Sequence, residues 1–219
     1  MKVYLLQNLL TLCMASPAAA ATPTPSTPWL EGLVEQARTL AAERVKPDSP
    51  EEQKWKARIK STVDDILDWD ELTRQSLGSE WTKTGETDRA EFQKLLREMI
   101  EASYMSKLRL RPKSAAEDPK VEVKWLAEDT KGDRSKATAE VKAGKTKTTL
   151  EFHMKWLGDK WRVYDVAIDE VGTVRTYRSQ FRKIIAEQGF PKLLDRMRQK
   201  TEEIRKGLAD LSAKPDELK

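Results

Sequence analysis

The sequence predicts an α+β domain in which a curved antiparallel sheet of about four strands is wrapped by helices. Three observations carry this. Apolar residues recur at helical spacing up to Pro112, alternate with polar ones from Val121 to Ile168, and return to helical spacing from Val174 onward. Helices, then a run of strands, then helices again is an α+β order rather than a βαβ one.

The first helix is read over Trp29 to Val45, with Leu30, Leu33, Val34, Ala37, Leu40 and Ala41 on one face; Pro47 and Pro50 end it. A second starts near Glu51 and turns Trp55, Ile59, Val63, Ile66 and Leu67 to one side. Trp69, Leu72 and Leu77 extend the pattern into a shorter piece that stops at Gly78. Thr87 then reads as an N-cap, and Phe92, Leu95, Leu96, Met99, Ile100 and Leu108 form a long stripe that Pro112 ends. Val121, Val123 and Trp125 alternate with charged residues. Turns at Lys131-Gly132-Asp133, Gly144-Lys145 and Gly158-Asp159 divide 121–168 into four strands of an antiparallel meander. Its apolar side needs a cover. Val174, Tyr177, Phe181, Ile184 and Ile185 supply a stripe ending at Gly189, and Pro191 restarts a helix carrying Leu193, Leu194, Met197, Ile204, Leu208 and Leu211.

The 219 residues suffice for one domain with a core. Hydrophobic residues are 38% and charged residues 35% of the chain, and seven Trp, four Tyr and four Phe argue against disorder. The net charge of +4 favours anionic partners, among which an acidic membrane surface fits as well as nucleic acid. Residues 1–21 read as a signal peptide: Lys2 is the positive start, Val3 to Met14 the apolar run, and Ala18-Ala19-Ala20 the small residues at the cleavage site. The run is too short to span a bilayer. Cys13, the one cysteine, follows Leu12 rather than a small residue, so it lacks the lipoprotein context. Residues 22–28 (TPTPSTP) read as a tether, 29–213 as a single domain and 214–219 as a tail.

No catalytic constellation is found. One histidine rules out a His pair on a helix, and by parity His153 points away from the apolar side of its strand. There is no G-x-S-x-G, P-loop or G-x-G-x-x-G motif. Asp64 and Asp68 share a helix face and read either as an acid/base or metal pair or, preferably, as a solvated acidic edge. Asp165 falls with Trp161 and Val163 toward the core, where a carboxylate needs donors. It reads as a general base or, favoured here for want of a catalytic partner, as an acceptor fixing the nearby loop. Metal ligands and cofactors are expected to be none. What remains is apolar: Leu150, Phe152, Met154, Trp156, Trp161 and Val163 on the sheet, with Met99, Tyr104, Leu108, Val174 and Tyr177 able to face them. Such a set fills an ordinary core or lines a slot.

Three stretches carry a family resemblance: ILDWDELTRQSLGSEWTKT (66–84), DRAEFQKLLREMIEASYMSKL (88–108) and KWRVYDVAIDEVGTVRTYRSQFRKIIAEQGFPKLLDRM (160–197). Their most specific motifs are W-x-V-Y-D-V-x-I-D-x-V from Trp161 to Val171, followed by Tyr177-Arg178-x-x-Phe181, and Leu77-Gly78 in the helical segment. The chain resembles the MlaC, or toluene-tolerance auxiliary, family of periplasmic phospholipid-binding proteins of an ABC lipid-transport system. The resemblance implies a deep apolar pocket within the α+β frame, NTF2-like in outline, lined by the eleven apolar residues just named. Arg175 and Arg178 are the candidates for holding a headgroup phosphate. It implies as partners a phospholipid, an inner-membrane complex with an MCE-domain ring and ABC ATPase, and an outer-membrane lipoprotein complex, with no nucleic acid; the carrier is expected to be a periplasmic monomer and not an enzyme. The sequence departs from the family pattern at Glu170, where Gly is usual, near Trp81, where two aromatics become one, and on the small face of Ala137, Ala139 and Ala143. These departures leave the lipid open between a phospholipid and a hopanoid or other apolar lipid. A small-molecule enzyme using Asp165 and a ligand-free adaptor using the C-terminal helices are the rival readings.

Overall fold

The computed structural model describes residues 23–43, 45–46, 49–109 and 121–213, with the side chains of Ala41, 107–109 and 208–213 outside the description. The expected signal peptide and tail therefore lie outside the described residues, as does the side chain of Leu108. The elements are α1 (Ser26–Ala42), α2 (Pro50–Ile66), α3 (Trp69–Leu77), a 3-10 turn (Gly78–Lys83), α4 (Glu86–Arg109), β1 (Val121–Lys131), β2 (Arg134–Ala143), β3 (Thr146–Trp156), β4 (Trp161–Ile168), β5 (Val171–Gly172), α5 (Thr173–Gln188) and α6 (Phe190–Ala213).

Local chemistry sets most boundaries. Ser49 accepts the Glu52 N–H at 3.2 Å with Pro50 opening α2, and Asp68 accepts the Glu71 N–H at 2.9 Å to start α3. Gly78 ends α3 at φ 58°, and a Cβ there would meet the Arg178 Cδ at 3.0 Å, so both conformation and space select glycine. Two starts differ from expectation. α4 begins at Glu86, which leaves Thr87 exposed inside the first turn rather than capping it. α1 begins at Ser26, within the stretch expected to be a tether. Buried Ser26 there meets Ser135, Oγ to Oγ 2.8 Å, and the Trp161 Nε1–H donates to the Thr24 carbonyl at 2.7 Å.

The sheet is antiparallel, in the order β1-β2-β3-β4-β5, and open. The fifth, two-residue strand was not expected; it forms because Asp169 and Glu170 make a left-handed turn, φ 47° and 68°, that pairs Ile168 with Val171. Register shifts mark one bulge in β1 at Leu126 and one in β4 at Tyr164: His153 pairs with Asp165, but the adjacent Met154 pairs with Val163. The bulge in β4 reverses parity. Val163 and Val166 share the apolar face with Met154 and Phe152, while Asp165 lies opposite, beside His153. The parity placing of Asp165 with Trp161 and Val163 is thus corrected by one inserted residue.

Two cores result. In one, α3, α4, α5 and α6 bury Leu72, Leu77, Phe92, Leu96, Phe181, Leu193 and Met197. Phe92 meets Phe181 edge-on at 5.3 Å, and Tyr177 stacks on Phe181 at 5.4 Å. Each such fully buried large side chain contributes about 1.5–3 kcal/mol. In the other, Leu30 of α1 covers Ala137, Met154, Trp161 and Val163. The C-terminal helices were expected to cover the sheet. They pack instead on α3 and α4, whose stripes are as apolar as their own, and α5 reaches the sheet through its first turn, where the Thr173 Oγ1–H donates to the Val166 carbonyl at 2.9 Å.

Candidate functional site

A cavity of about 230 Å³ lies beside the bulge in β4, where the two cores meet. Leu67, at the end of α2, is tied to β4 by the Asp68 N–H donating to the Val163 carbonyl at 2.9 Å, and with Leu72 it forms one wall. Ile100, Ser103 and Tyr104 on one face of α4 form the second. Val163 to Val166 form the floor, and Thr173, Val174 and Tyr177 of α5 close the remaining side.

The walls are neutral apart from one carboxylate. Burial, with Glu101 and Asp64 adding to it against the opposing Arg97, pushes the Tyr104 phenol up to about 12, and burial also raises Tyr177, so both stay protonated. Asp165 accepts the Val174 N–H at 2.9 Å, and its other oxygen lies 3.0 Å from where a Gly172 Cβ would stand. The carboxylate therefore caps the N-terminus of α5, the position a bound anion would otherwise take. This is the loop-fixing role favoured from sequence.

Of the residues proposed for the pocket, the structure brings Tyr104, Val163, Val174 and Tyr177 together around this cavity. Met99 is buried in the helical core. Met154, Trp156 and Trp161 belong to the core beneath α1, with Trp156 and Trp161 edge-on at 5.3 Å. Leu150 and Phe152 are half-buried on the sheet, and Phe152 is the register partner of cavity-lining Val166. Arg178 is committed elsewhere: its Nε–H and Nη2–H donate to the Gln75 carbonyl at 2.6 Å and side-chain oxygen at 2.8 Å, tying α5 to α3. Arg175 is exposed next to Val174. Sequence reasoning missed Leu67, Leu72, Ile100, Ser103, Tyr164, Val166 and Thr173 as lining. The 100, 103, 104 spacing on one helix face was the available signal for α4; Tyr164 and Val166 needed the bulge.

The other carboxylates are engaged structurally. Asp68 caps α3, and Asp64 pairs with Arg97 and accepts the Trp69 Nε1–H at 3.2 Å. His153 is half-buried on the polar face, its ring 6.1 Å from that of Tyr164. Among the described residues no group of three or more His, Cys, Asp or Glu is placed to hold a metal ion, and no helix is long and apolar enough to cross a membrane.

Comparison with solved structures finds the same fold in a phospholipid-binding protein from Ralstonia solanacearum, solved in complex with a phospholipid. The TM-score is 0.66 at 15% identity, over 83% of this chain and 99% of that one. No curated protein matches the chain. The family model described as MlaC protein matches residues 35–199, which run from α1 through the sheet and every cavity wall into α6. With the helix–meander–helix frame and the W-x-V-Y-D-V motif that forms the bulge, this match places the chain in the MlaC protein family.

Proposed function

We propose that this protein is a periplasmic phospholipid carrier. In this reading it moves lipid between an inner-membrane MCE-domain/ABC transporter complex and an outer-membrane lipoprotein complex, and so maintains outer-membrane lipid asymmetry. The single observation carrying it is an apolar cavity at the junction of two cores, lined by Leu67, Leu72, Ile100, Val163, Val166 and Val174. Family membership and the phospholipid complex of the Ralstonia neighbour support it. Residues 1–21 would direct export and be removed.

The physics needs no chemical step. A diacyl lipid exposes roughly thirty methylenes, and at about 0.8 kcal/mol each its passage through water costs on the order of 25 kcal/mol. A sheltered apolar site removes most of that barrier. The rivals have less support. Asp165 is occupied as a helix cap, which argues against a general base. Among the described residues of α5 and α6, Phe181 at 4%, Leu193 at 0% and Met197 at 2% exposure are buried and Ile184, Ile185 and Ile204 are partly buried, which argues against an adaptor that uses this apolar stripe. Ala137 and Ala139 are fully buried, and Ala137 belongs to the core that Leu30 covers, which favours close packing over a wider slot for a hopanoid.

The test is mass spectrometry of an organic extract of protein purified from a bacterial periplasm. Co-purified phospholipid is expected. Lipid-free protein refutes the carrier, and a hopanoid in place of phospholipid corrects its cargo.

A further inference from the structure

A cavity of 230 Å³ lies below the roughly 300–1,000 Å³ of small-molecule sites, so two acyl tails need apolar surface beyond its own walls. We infer that α1 is a strap that lifts from the sheet to admit acyl chains. The inference rests on the carrier reading and specifies how that site is loaded.

The bundle side of the cavity is poorly suited to move. Phe92, Leu96 and Leu193 are fully buried there, and Phe181 is held between Phe92 and Tyr177. Packing of that kind resists deformation. The sheet side is built differently. α1 buries only Leu30 fully against the apolar face; Trp29 and Leu33 pack on the same cluster but stay half-buried, as does Val34. An open groove of about 680 Å³ separates it from α2, with Leu33 and Leu40 on one side and Arg58, Thr62 and Ile66 on the other.

Polar clasps at its two ends hold α1 down. At the N-terminus Glu128 of β1 accepts the Ser26 N–H at 2.7 Å, the Thr27 N–H at 3.1 Å and the Thr27 hydroxyl at 2.6 Å. The Ser26–Ser135 and Trp161–Thr24 contacts lie beside it. At the C-terminus the Trp55 Nε1–H donates to the Leu40 carbonyl at 2.8 Å, and Arg58 pairs with Glu43. Polar contacts exchange with water at small net cost, whereas an apolar seam does not. Beneath the strap the apolar surface is unbroken. Val163 and Val166 line the cavity, Met154 and Phe152 are their register partners, and Phe152 pairs in turn with Ala137 under Leu30. Lifting α1 joins cavity and sheet face into one trough.

Ser26→Cys together with Ser135→Cys puts thiols where hydroxyls stand 2.8 Å apart, within disulfide reach. The protein is loaded with a phospholipid bearing a fluorescent acyl chain, and its transfer to phosphatidylethanolamine/phosphatidylglycerol vesicles is timed in the oxidised and reduced states. The oxidised form is expected to exchange about tenfold more slowly than its own reduced form. Glu128→Gln, which weakens the N-terminal clasp, is expected to exchange about fivefold faster than the unsubstituted protein. Equal rates in the two redox states overturn the strap and leave the carrier standing. Unsubstituted protein that takes up no lipid overturns both.

Discussion

Ser103→Phe is the perturbation that most directly separates a lipid site from a packing defect. Ser103 sits on the α4 wall of the 230 Å³ cavity. At about 24 cal/mol per Å³, leaving such a space empty costs on the order of 5 kcal/mol. At roughly 30 Å³ per small group it holds about eight methylenes, and these are worth about 6 kcal/mol at 0.8 kcal/mol each. The two figures agree because both measure the same unfilled apolar contact. A phenylalanine ring projected from α4 fills a large part of the space and so competes with the acyl chain for it. Retained phospholipid, measured by mass spectrometry of the extract against protein, is expected to fall at least a hundredfold, within the ~10⁴ ceiling that 6 kcal/mol allows. The melting temperature of the lipid-free protein is expected to hold or rise, since the substitution fills a void rather than opening one. Ser103→Leu should act in the same direction more weakly. A folded Ser103→Phe protein carrying as much lipid as the unsubstituted chain would show that the tails lie elsewhere.

Three further outcomes follow from the polar framework. Burial raises the Glu71 carboxyl, but hydrogen bonds from Arg74, Gln75 and Arg134 outweigh it and hold the group at about 2, below its ordinary 4.5. Its stabilising effect is therefore complete above pH 4.5 and lost as pH falls toward 2; Glu71→Gln should cost about 2 kcal/mol at pH 7 and flatten the acid limb of the stability profile, both read by urea titration. Glu170 stands at φ 68°, so Glu170→Gly should remove left-handed strain of about 1–2 kcal/mol, less the entropy glycine adds to the unfolded chain, and raise the melting temperature by about 2 °C; a lower value contradicts the strain argument. Asp165→Ala should cost about 1 kcal/mol through the lost cap on α5, with Asp165→Asn recovering most of it and both retaining lipid; loss of lipid from a stable Asn variant would give the carboxylate a role beyond capping.

The frame of the fold was legible because apolar periodicity is strong wherever an element has one buried face. Phe92, Leu95, Leu96 and Met99 announce α4, and the alternation of Leu150, Phe152, Met154 and Trp156 announces β3. Periodicity says which residues turn inward but not which inward faces meet. The stripe of α5 and α6 was complementary both to the sheet and to α3 and α4, and the helical core won it. That left the apolar sheet face to Leu30 of α1, with Ile66 and Leu67 from the end of α2, and the start of α1 at Ser26 was hidden by a proline-rich stretch that reads as a tether. Arg178 was misjudged for a related reason. A cation at a helical surface position looks solvated until the fold brings a carbonyl such as that of Gln75, 103 residues earlier in the chain, within 2.6 Å.

The bulge at Tyr164 was also written in the sequence, in a form that simple alternation discards. Trp161 and Val163 are odd-numbered and Val166 and Ile168 even-numbered, so the apolar parity of β4 changes midway. An extra residue is the one way a strand can keep all four on one face. Without it, Val166 would turn away from Phe152 to the polar face, and Asp165 would enter the apolar face beside Val163, its carboxylate unpaired and α5 uncapped. The same residue thus sets which β4 side chains reach the cavity, and it places Asp165 where it fixes the helix that walls one side. The β4 floor of the cavity is therefore set by strand register. Enlarging or filling individual lining residues should tune what it holds, whereas deleting Tyr164 should abolish the cavity and the helix cap together.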